Sequence, residues 1–373
     1  MNNPMTSKPH YLFLDALRGV AALAVLLYHN FEAVAFAAGA PEQHFFHGFL
    51  AVDFFFILSG FVMGYAYDDR WGEMSVGGFF KRRLIRLHPM VVAGVLFGLA
   101  AFCFQGCLSW DGSQAPAWRV IVSTLLALLL LPCPVGVDVR GNTEMFPLNG
   151  PHWSLFLEYI GSIIYALLIR KLSTRALKIW VAVAAIVLLV NGLLGPDGSI
   201  AYGWSSQPLN ALGGFFRMMF AYPMGLLMSR LFRERQPSRL GGWIFVVCAV
   251  VLCALLAVPG LGVGSIRIWY EVFCVCVCFP VIVWFAARGD IAGEGPARRT
   301  VTCLGDISYP LYAIHYPMIY LYIGWINSGS HPFGPYIWCT PVAVSAICIA
   351  LAVAFTYLYD KPVRRWLTGR FSR

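Results

Sequence analysis

The chain of 373 residues is 59% hydrophobic and only 12% charged, about half the charged fraction of an ordinary soluble domain. This composition excludes a soluble globular protein and indicates an integral membrane protein. The formal net charge of +9 does not indicate a nucleic-acid partner, because the basic residues fall mostly in short loops, where they set membrane topology.

Eleven apolar stretches have a length at or near that needed to cross a bilayer. They are 12–37, 49–67, 90–107, 118–133, 150–169, 178–195, 209–232, 243–259, 267–287, 306–327 and 336–359. Clusters of Lys and Arg follow the second, fifth, seventh, ninth and last stretches, whereas the loops at 38–48, 196–208 and 328–335 contain neither residue. If 118–133 does not cross, every basic cluster falls on the cytoplasmic side, as the positive-inside rule requires.

We therefore predict an all-α, polytopic transmembrane bundle with about ten crossings and with 118–133 re-entrant or lying against the bundle. It forms one domain, residues 1–373, in the cytoplasmic (inner) membrane. Both termini are cytoplasmic, with short tails at 1–11 and 366–373. The eleven cysteines lie mostly in apolar segments, so we expect neither a disulfide framework nor a metal site.

The first stretch carries Asp15, Arg18 and His29 inside an otherwise apolar helix. Charged residues within a membrane are costly and mark functional positions. Arg18 and His29 are eleven residues apart, which on a helix is close to three whole turns and about 16 Å of rise. They therefore share a face, so that an arginine near one end can hold an anion while a deeper histidine moves a proton.

The second stretch carries Asp53 and Ser59, and a basic run follows it in FFKRRLIRLHP. Asp53 pairs with a cation or is a solvated acid at the helix start, and Ser59 marks close helix packing or a site. Arg83 and Arg86 are spaced i, i+3 and lie near the same side as Arg18. Three arginines at one cytoplasmic mouth suit a phosphorylated ligand, although the run also serves as a positive-inside anchor.

The fifth stretch begins with HWSLFLEY. Counted from the helix ends, Glu158 and His29 both lie about 12 Å below the outer surface. A carboxylate beside a histidine fixes its tautomer, as a general base requires, so we expect these two residues to act together. His152 and Trp153 lie at the outer mouth, where Ser154 also lies and is able to cap the helix.

Further ionisable residues lie in the later stretches. His315, between Pro310 and Pro317, is a site residue or a buried packing residue, because proline opens the helix ladder. The remaining intramembrane or boundary charges are Arg217, Glu271 and Asp306, of which Arg217 is expected near the level of His29.

Six motifs in chain order resemble the acyltransferase-3 family of membrane O-acyltransferases. They are LDALRGVAALAVLLYH, GFLAVDFFFILSGFV, FFKRRLIRLHP, HWSLFLEY, ISYPLYAIHYP and YDKPVRRW, and together they cover nearly the whole chain. Two departures stand out. Tyr159 follows Glu158 where relatives often have a second Glu, and Asp360 stands where Glu is expected.

The resemblance implies transfer of an acyl group, usually acetyl, from cytoplasmic acetyl-CoA to a hydroxyl of a carbohydrate, glycolipid or other glycoconjugate at the far membrane face. It implies that His29 is the catalytic histidine and that Glu158 is the carboxylate of its motif. It also implies that Arg18, Arg83 and Arg86 serve donor binding or the fold of the site.

In this scheme His29 removes the hydroxyl proton during direct attack on the thioester, or itself becomes acylated first. Asn30, Tyr309 or a backbone N–H are candidate oxyanion donors. A secondary transporter or flippase is the alternative function, because charged residues in a helical bundle also line transport pathways. A bundle in which these charges only lock helices together is a third. The sequence does not predict the acceptor or the oligomeric state.

Overall fold

The computed structural model describes residues 11–38, 47–195, 198–235, 237–260, 265–291, 293–328 and 335–371. These ranges contain thirteen α-helices and no β-strand. The helices are α1 Leu12–Ala37, α2 Ala51–Tyr67, α3 Val76–Phe104, α4 Ala117–Leu128, α5 His152–Leu167, α6 Thr174–Leu194, α7 Pro208–Arg235, α8 Trp243–Leu256, α9 Ser265–Phe273, α10 Phe279–Arg288, α11 Pro296–Asn327, α12 Thr340–Ala354 and α13 Lys361–Phe371. The π-helical turns Cys274–Cys278 and Phe355–Asp360 join α9 to α10 and α12 to α13.

Eight helical segments in the described ranges are long and apolar enough to cross a membrane, judged by length and composition. They are Leu12–Ala37, Gly48–Tyr67, Val76–Phe104, His152–Lys171, Thr174–Leu194, Pro208–Arg235, Ile266–Arg288 and Tyr336–Phe371. The protein is therefore a polytopic helical membrane protein. Helix α8 falls short because its 14 residues extend only about 21 Å. The count of ten crossings stays a prediction.

The two predicted tails lie partly outside the described residues. Of the predicted tail at 1–11, only residue 11 is among the described residues. The tail predicted at 366–373 is helical as far as residue 371, because α13 runs to Phe371, and its last two residues lie outside the described part. The cytoplasmic position of both termini stays a prediction.

Residues 105–151, which we call the cap, fold over one end of the bundle. Helix α4 has 12 residues and extends about 18 Å, well short of a hydrocarbon core of about 30 Å. The cap folds back on itself, since the Trp110 N–H donates to the Arg140 carbonyl at 3.0 Å and the Cys133 N–H donates to that of Met145 at 2.8 Å. This path agrees with the prediction that 118–133 does not cross.

Helix α11 lies along α1. The Arg18 guanidinium donates to Ser308 Oγ at 2.9 Å. About two turns further along α11 and three turns further along α1, the ring of His29 contacts those of His315 and Tyr316. Gly19 permits the close approach, because a Cβ there would lie 2.3 Å from the Leu304 carbonyl oxygen. A helix enclosed in this way need not be apolar throughout, which explains why α11 is not among the eight segments.

Helices α2 and α7 form a second close pair. A Cβ on Gly60 would lie 2.0 Å from the Tyr222 carbonyl oxygen, and one on Gly225 would lie 2.0 Å from that of Ile57. Both glycines are therefore required for backbone contact, as small residues are at membrane helix interfaces. Ser59 stands beside Gly60 in this pair but, as shown below, its hydroxyl has a partner of its own.

Candidate active site

Two cavities lie one above the other inside the bundle. The first, which we call the basic cavity, has a volume of about 280 Å³, and its charged lining residues are Asp15, Arg18, Arg83, Arg86, Glu158, Asp306, Asp360, Lys361 and Arg364. The second, which we call the cap cavity, has a volume of about 790 Å³ and lies beneath the cap. Arg18, Arg83 and Arg86 thus line one cavity, as their spacing predicts.

Four of the five cations in the basic cavity are paired with carboxylates. The ion pairs are Arg18–Asp15 at 2.8 Å, Arg83–Glu158 at 2.7 Å, Lys361–Asp306 at 2.6 Å and Arg364–Asp360 at 3.0 Å. Arg86 is different, because it is an exposed residue that lines the cavity and its guanidinium has no hydrogen-bond or ion-pair partner within the described ranges. A guanidinium in this setting is available to an anion that enters the cavity.

Glu158 of α5 lines the basic cavity and accepts hydrogen bonds from two other helices. Arg83 donates to its Oε1 at 2.7 Å and Ser59 donates to the same oxygen at 2.6 Å. Ser59 is therefore more than a packing residue, since it links α2 to α5. Arg83 is buried, and its charge is balanced by Glu158, which leaves Arg86 as the more accessible of the two arginines.

His29 faces the cap cavity and has its own carboxylate. The Nδ1–H of His29 donates to Glu32 Oε2 at 2.9 Å, and the Tyr28 hydroxyl donates to Glu32 Oε1 at 3.0 Å. The side chains of His29 and Glu32 are about one-fifth exposed, so both are reachable from the cavity. Because Nδ1 carries the proton, Nε2 is left with a lone pair, as a general base requires.

The expected pairing of His29 with Glu158 is wrong. Glu158 lines the basic cavity with Arg83, whereas His29 lines the cap cavity with Glu32. The depth estimate fails because α5 does not begin at the membrane surface: its first residue, His152, is fully buried beneath the cap. Glu158, six residues further along, is therefore about 9 Å deeper than that start.

His315 and Tyr316 lie against His29. The His315 ring is roughly parallel to that of His29 at a centroid distance of 5.7 Å, and its Nδ1–H donates to the Tyr312 carbonyl at 2.9 Å. Tyr316 presents its edge to His29 at 4.8 Å and lines the cap cavity. In the part of the chain that the structure describes, the Tyr316 hydroxyl has no hydrogen-bond partner, so it is free to donate to a ligand.

Asp53 and Arg217 form a buried ion pair at the wall of the cap cavity. The Arg217 Nη2 and Nε donate to the two carboxylate oxygens at 2.6 and 3.1 Å, and Nη1 donates to the Tyr202 carbonyl at 2.7 Å. Asp53 is thus paired rather than solvated, and Arg217 lines the same cavity as His29. The Trp153 ring packs on the Arg217 guanidinium at 5.3 Å.

The other residues of the HWS sequence have different surroundings. His152 is fully buried and lines neither cavity, so it lies below the mouth at which it was expected. Ser154 does not cap α5. Its hydroxyl instead shares a 2.6 Å hydrogen bond with the Tyr312 hydroxyl and so ties α5 to α11.

Two expected oxyanion donors are committed elsewhere. The Asn30 amide donates to the Leu26 carbonyl at 3.1 Å and to Ser345 Oγ at 2.9 Å, and Asn30 lines neither cavity. Tyr309 lines the basic cavity and donates to the Leu87 carbonyl at 2.5 Å. The expectation for these two side chains is wrong in this arrangement, because neither donor points at His29.

Glu144 is a further titratable residue that lines the cap cavity. It accepts a hydrogen bond from the Tyr320 hydroxyl, and burial raises the pKa of Glu144 to about 7. Nearby, Arg140 is enclosed by the rings of Phe102, Trp110 and Tyr320, and burial lowers the pKa of its guanidinium. These groups fix the cap to α11 and give the cavity a carboxyl group that titrates near neutral pH.

The two cavities share a boundary. Val52 of α2 and Tyr312 of α11 line both of them. On α11 the lining positions follow helical spacing from Gly305 and Ser308 in the basic cavity, through Tyr312, to Tyr316 and Tyr320 in the cap cavity. This face continues from Thr302 to Asn327, about 37 Å along the helix, which exceeds a hydrocarbon core of about 30 Å.

Sequence reasoning missed several residues of these cavities. Glu32 stands three residues after His29, so helical periodicity alone places both on one face. Lys361 and Arg364 lie in the YDKPVRRW motif at the same i, i+3 spacing as Arg83 and Arg86. Tyr316 offers no comparable signal, because its free hydroxyl follows only from the packing of α11 on α1. No group of three or more metal-ligating side chains occurs among the residues searched, which are the described ones.

A comparison with protein families assigns the chain. A family model described as an acyltransferase domain matches residues 11–359, and the protein therefore belongs to the acyltransferase-3 family. No solved structure matches.

Three relatives illustrate the family. "Protein 2 in picA locus" of Rhizobium radiobacter is 32% identical over 191 residues, which cover 48% of this chain and 93% of that protein. The acyltransferase MdmB of Streptomyces mycarofaciens is 28% identical and covers 82% of this chain and 78% of the relative. The peptidoglycan O-acetyltransferase OatA of Listeria monocytogenes is 24% identical over 96% of this chain, which spans only 56% of that relative. The chain is an acyltransferase.

Proposed function

We propose that the protein transfers an acetyl group from cytoplasmic acetyl-CoA to a hydroxyl of a cell-surface carbohydrate. One observation carries this proposal: a cavity rich in arginine and a cavity that holds a His–Glu pair meet inside the bundle at Val52 and Tyr312. An anionic donor and a neutral hydroxyl acceptor can thereby occupy separate cavities that meet at Val52 and Tyr312.

The basic cavity fits the donor. Arg86 has no internal partner, and guanidinium groups grip phosphate bidentately. Arg18, Lys361 and Arg364 line the same cavity in ion pairs, which can rearrange around phosphate. Because the cavity has a volume of only about 280 Å³, it suits the slender pantetheine arm, with the nucleotide end at its mouth. Exposed Lys81 and Arg82 near this end support a cytoplasmic orientation.

His29 and Glu32 supply the acid–base chemistry. The unprotonated Nε2 of His29 takes the proton of the acceptor hydroxyl as its oxygen attacks the thioester carbonyl, and Glu32 stabilises the imidazolium that forms. The new C–O bond forms as the C–S bond breaks, and the proton passes from His29 to the departing sulfur. A route through acyl-His29 uses the same two residues.

The hydroxyl of Tyr316 is suited to stabilise charge in this step. It lies on the cap-cavity wall next to His29 and has no partner in the described part of the chain. Donors that need no reorganisation are the most effective at a developing oxyanion. We therefore propose that Tyr316, in place of Asn30 or Tyr309, is the side chain that donates a hydrogen bond to the oxyanion.

The cap cavity fits a carbohydrate. Its aromatic lining residues are Tyr28, Phe36, Phe49, Trp110, Trp153, Tyr202, Trp204, Tyr312, Tyr316 and Tyr320. Among them stand a few hydrogen-bonding groups, Glu32, Asn142, Glu144 and Arg267, in the pattern typical of sites that orient a largely neutral ligand. The peptidoglycan O-acetyltransferase OatA supports an acetyl group and a glycan acceptor.

Binding of acetyl-CoA to the purified protein in detergent tests this function. Arg86→Ala should weaken acetyl-CoA binding at least about tenfold, because a charge-assisted contact contributes about 1.5–3 kcal/mol. Arg82→Ala is the matched control, since this neighbouring arginine does not line the cavity, and it should bind as wild type does. His29→Ala should also bind normally but transfer nothing. If folded wild type binds no acyl-CoA, the proposal fails and a transporter becomes the better reading.

A further inference from the structure

The boundary between the two cavities is built from three side chains. Val52 and Tyr312 are both buried and line both cavities. Phe55, one turn along α2, meets the Tyr312 ring edge-on at 5.1 Å. We call Val52, Phe55 and Tyr312 the junction. Under the proposed function, the acyl group reaches His29 by passing between α2 and α11 at this junction.

Tyr312 is fixed at several points. Its hydroxyl shares a 2.6 Å hydrogen bond with Ser154 Oγ, and its carbonyl accepts from His315 at 2.9 Å. His315 in turn stacks on His29. Moving the Tyr312 ring aside would therefore break the tie to α5 and the contact of this ring with that of His315, whose centroid is 5.8 Å away.

The opposite side of the junction is fixed as well. Val52 precedes Asp53, which holds two hydrogen bonds from Arg217. Gly60 and Gly225 bring the backbones of α2 and α7 into contact, so α2 cannot move closer to α7. Packed interiors resist the addition of even one methylene group, so the junction has a nearly constant width.

We propose that Val52, facing Tyr312, selects acyl groups by the width of the acyl group. Unbranched acyl groups reach His29, and groups branched next to the carbonyl do not. This inference rests on the proposed function. The junction does not select the acyl group by its length, because an unbranched acyl chain has about the same cross-section as the pantetheine arm that follows it. A branched carbon must instead pass between a β-branched side chain and an aromatic ring that are both held in place.

Binding of four ligands tests this proposal without the need for an acceptor. The purified full-length protein is titrated calorimetrically with coenzyme A, acetyl-CoA, hexanoyl-CoA and isobutyryl-CoA. Wild type should bind isobutyryl-CoA at least about tenfold more weakly than acetyl-CoA, since the misfit of a single methylene changes affinity about 10–200-fold. Hexanoyl-CoA should bind as acetyl-CoA does.

Variants separate the junction from the rest of the cavity. Val52→Ala should remove most of the penalty for isobutyryl-CoA relative to acetyl-CoA, with both affinities compared with that of the same variant for coenzyme A. Val52→Thr keeps the same shape and should keep the selectivity. Val62→Ala is the matched control, because Val62 lines only the basic cavity on the same helix, and it should not alter selectivity.

The outcomes are distinct. If wild type binds all three thioesters equally, or if Val52→Ala and Val62→Ala change the preference alike, the junction does not select by width, although the proposed function stands. If folded wild type binds neither coenzyme A nor any thioester, the proposed function fails, and this inference falls with it.

Discussion

Glu32 accepts a hydrogen bond from the Nδ1–H of His29 at 2.9 Å. This hydrogen bond keeps the proton on Nδ1 and leaves Nε2 as the nitrogen with a free lone pair. Its second oxygen accepts from the Tyr28 hydroxyl, so the carboxylate is itself held in place. The imidazole, the carboxylate and the phenol all belong to one helix, α1. Because i, i+3 and i, i+4 contacts on a helix are set by its own geometry, the hydrogen bonds that orient His29 are made within α1.

Replacing Glu32 tests this arrangement. Glu32→Gln keeps the size of the side chain but removes the charge that stabilises the imidazolium, so turnover should fall about a hundredfold or more. The KM for acetyl-CoA should not change, because Glu32 does not line the basic cavity. Turnover is measured as release of coenzyme A in membranes that contain the protein.

A control variant distinguishes this role from simple packing. Tyr28→Phe removes the other hydrogen bond to Glu32 and should reduce turnover by less than about tenfold, in keeping with a neutral hydrogen bond of about 1 kcal/mol. Wild-type turnover in Glu32→Gln would show that the carboxylate does not support His29.

Tyr316 provides a second test at the scale of single residues. Tyr316→Phe should lower turnover about a hundredfold, the usual effect of losing one oxyanion donor, while acetyl-CoA binding stays intact. Tyr322→Phe is the control, because that hydroxyl bonds Thr340 and lies outside both cavities. Equal effects of the two substitutions would contradict the assignment.

Among the helices, α2 has the most demanding position. One face contacts α7 through glycine, and another lines both cavities through Val52. Two side chains of the same helix also bind residues of other helices: Ser59 donates a hydrogen bond to Glu158, and Asp53 accepts one from Arg217. A small displacement of α2 would therefore alter both cavities at once.

The contact of α2 with α7 can be tested by adding one methyl group. Gly60→Ala places a Cβ against the Tyr222 carbonyl and should destabilise the fold by about 1–3 kcal/mol, as overpacking does. Gly77→Ala in α3 is the control, because no atom lies within 4 Å of a Cβ at that position, and it should cause no loss. Thermal unfolding in detergent micelles measures both. An unfolding temperature unchanged by Gly60→Ala would mean that the two backbones are further apart.

For the whole molecule, pH acts through the cap. The pKa of Glu144 is raised by burial from an ordinary value of 4.5 to about 7, so the folded state disfavours its ionised form. Stability contributed by the neutral group is fully present below pH 4.5, declines as pH rises towards 7, and levels off above it.

The predicted size of this decline is about 3 kcal/mol, which corresponds to the raised pKa. It should appear as a fall in unfolding temperature from pH 4.5 to pH 7. Glu144→Gln should remove this part of the pH dependence while leaving that of other groups. A variant and a wild type with parallel pH profiles would show that Glu144 is not the titrating group.

The sequence predicts much of this architecture because long apolar helices and helical spacing are local properties. The common face of Arg18 and His29 and the grouping of three arginines follow from them. The partner of His29 was missed because the depth of Glu158 was counted from a surface that α5 does not reach. The shape of the cap, with its buried Arg140 and Glu144, depends on contacts between distant residues that no local pattern encodes.

The close pairing of α1 with α11 has a consequence for how the chain is made. Arg18 and its partner Ser308 are 290 residues apart, so at about 5–20 residues per second Arg18 emerges about 15–60 s before Ser308. During that time α1 is in the membrane with its polar face uncovered, and its own Asp15 is the counter-charge already at hand. Helix α1 is thus synthesised long before α11, the helix that covers its polar face, so the incomplete bundle exposes a polar surface that the finished bundle buries.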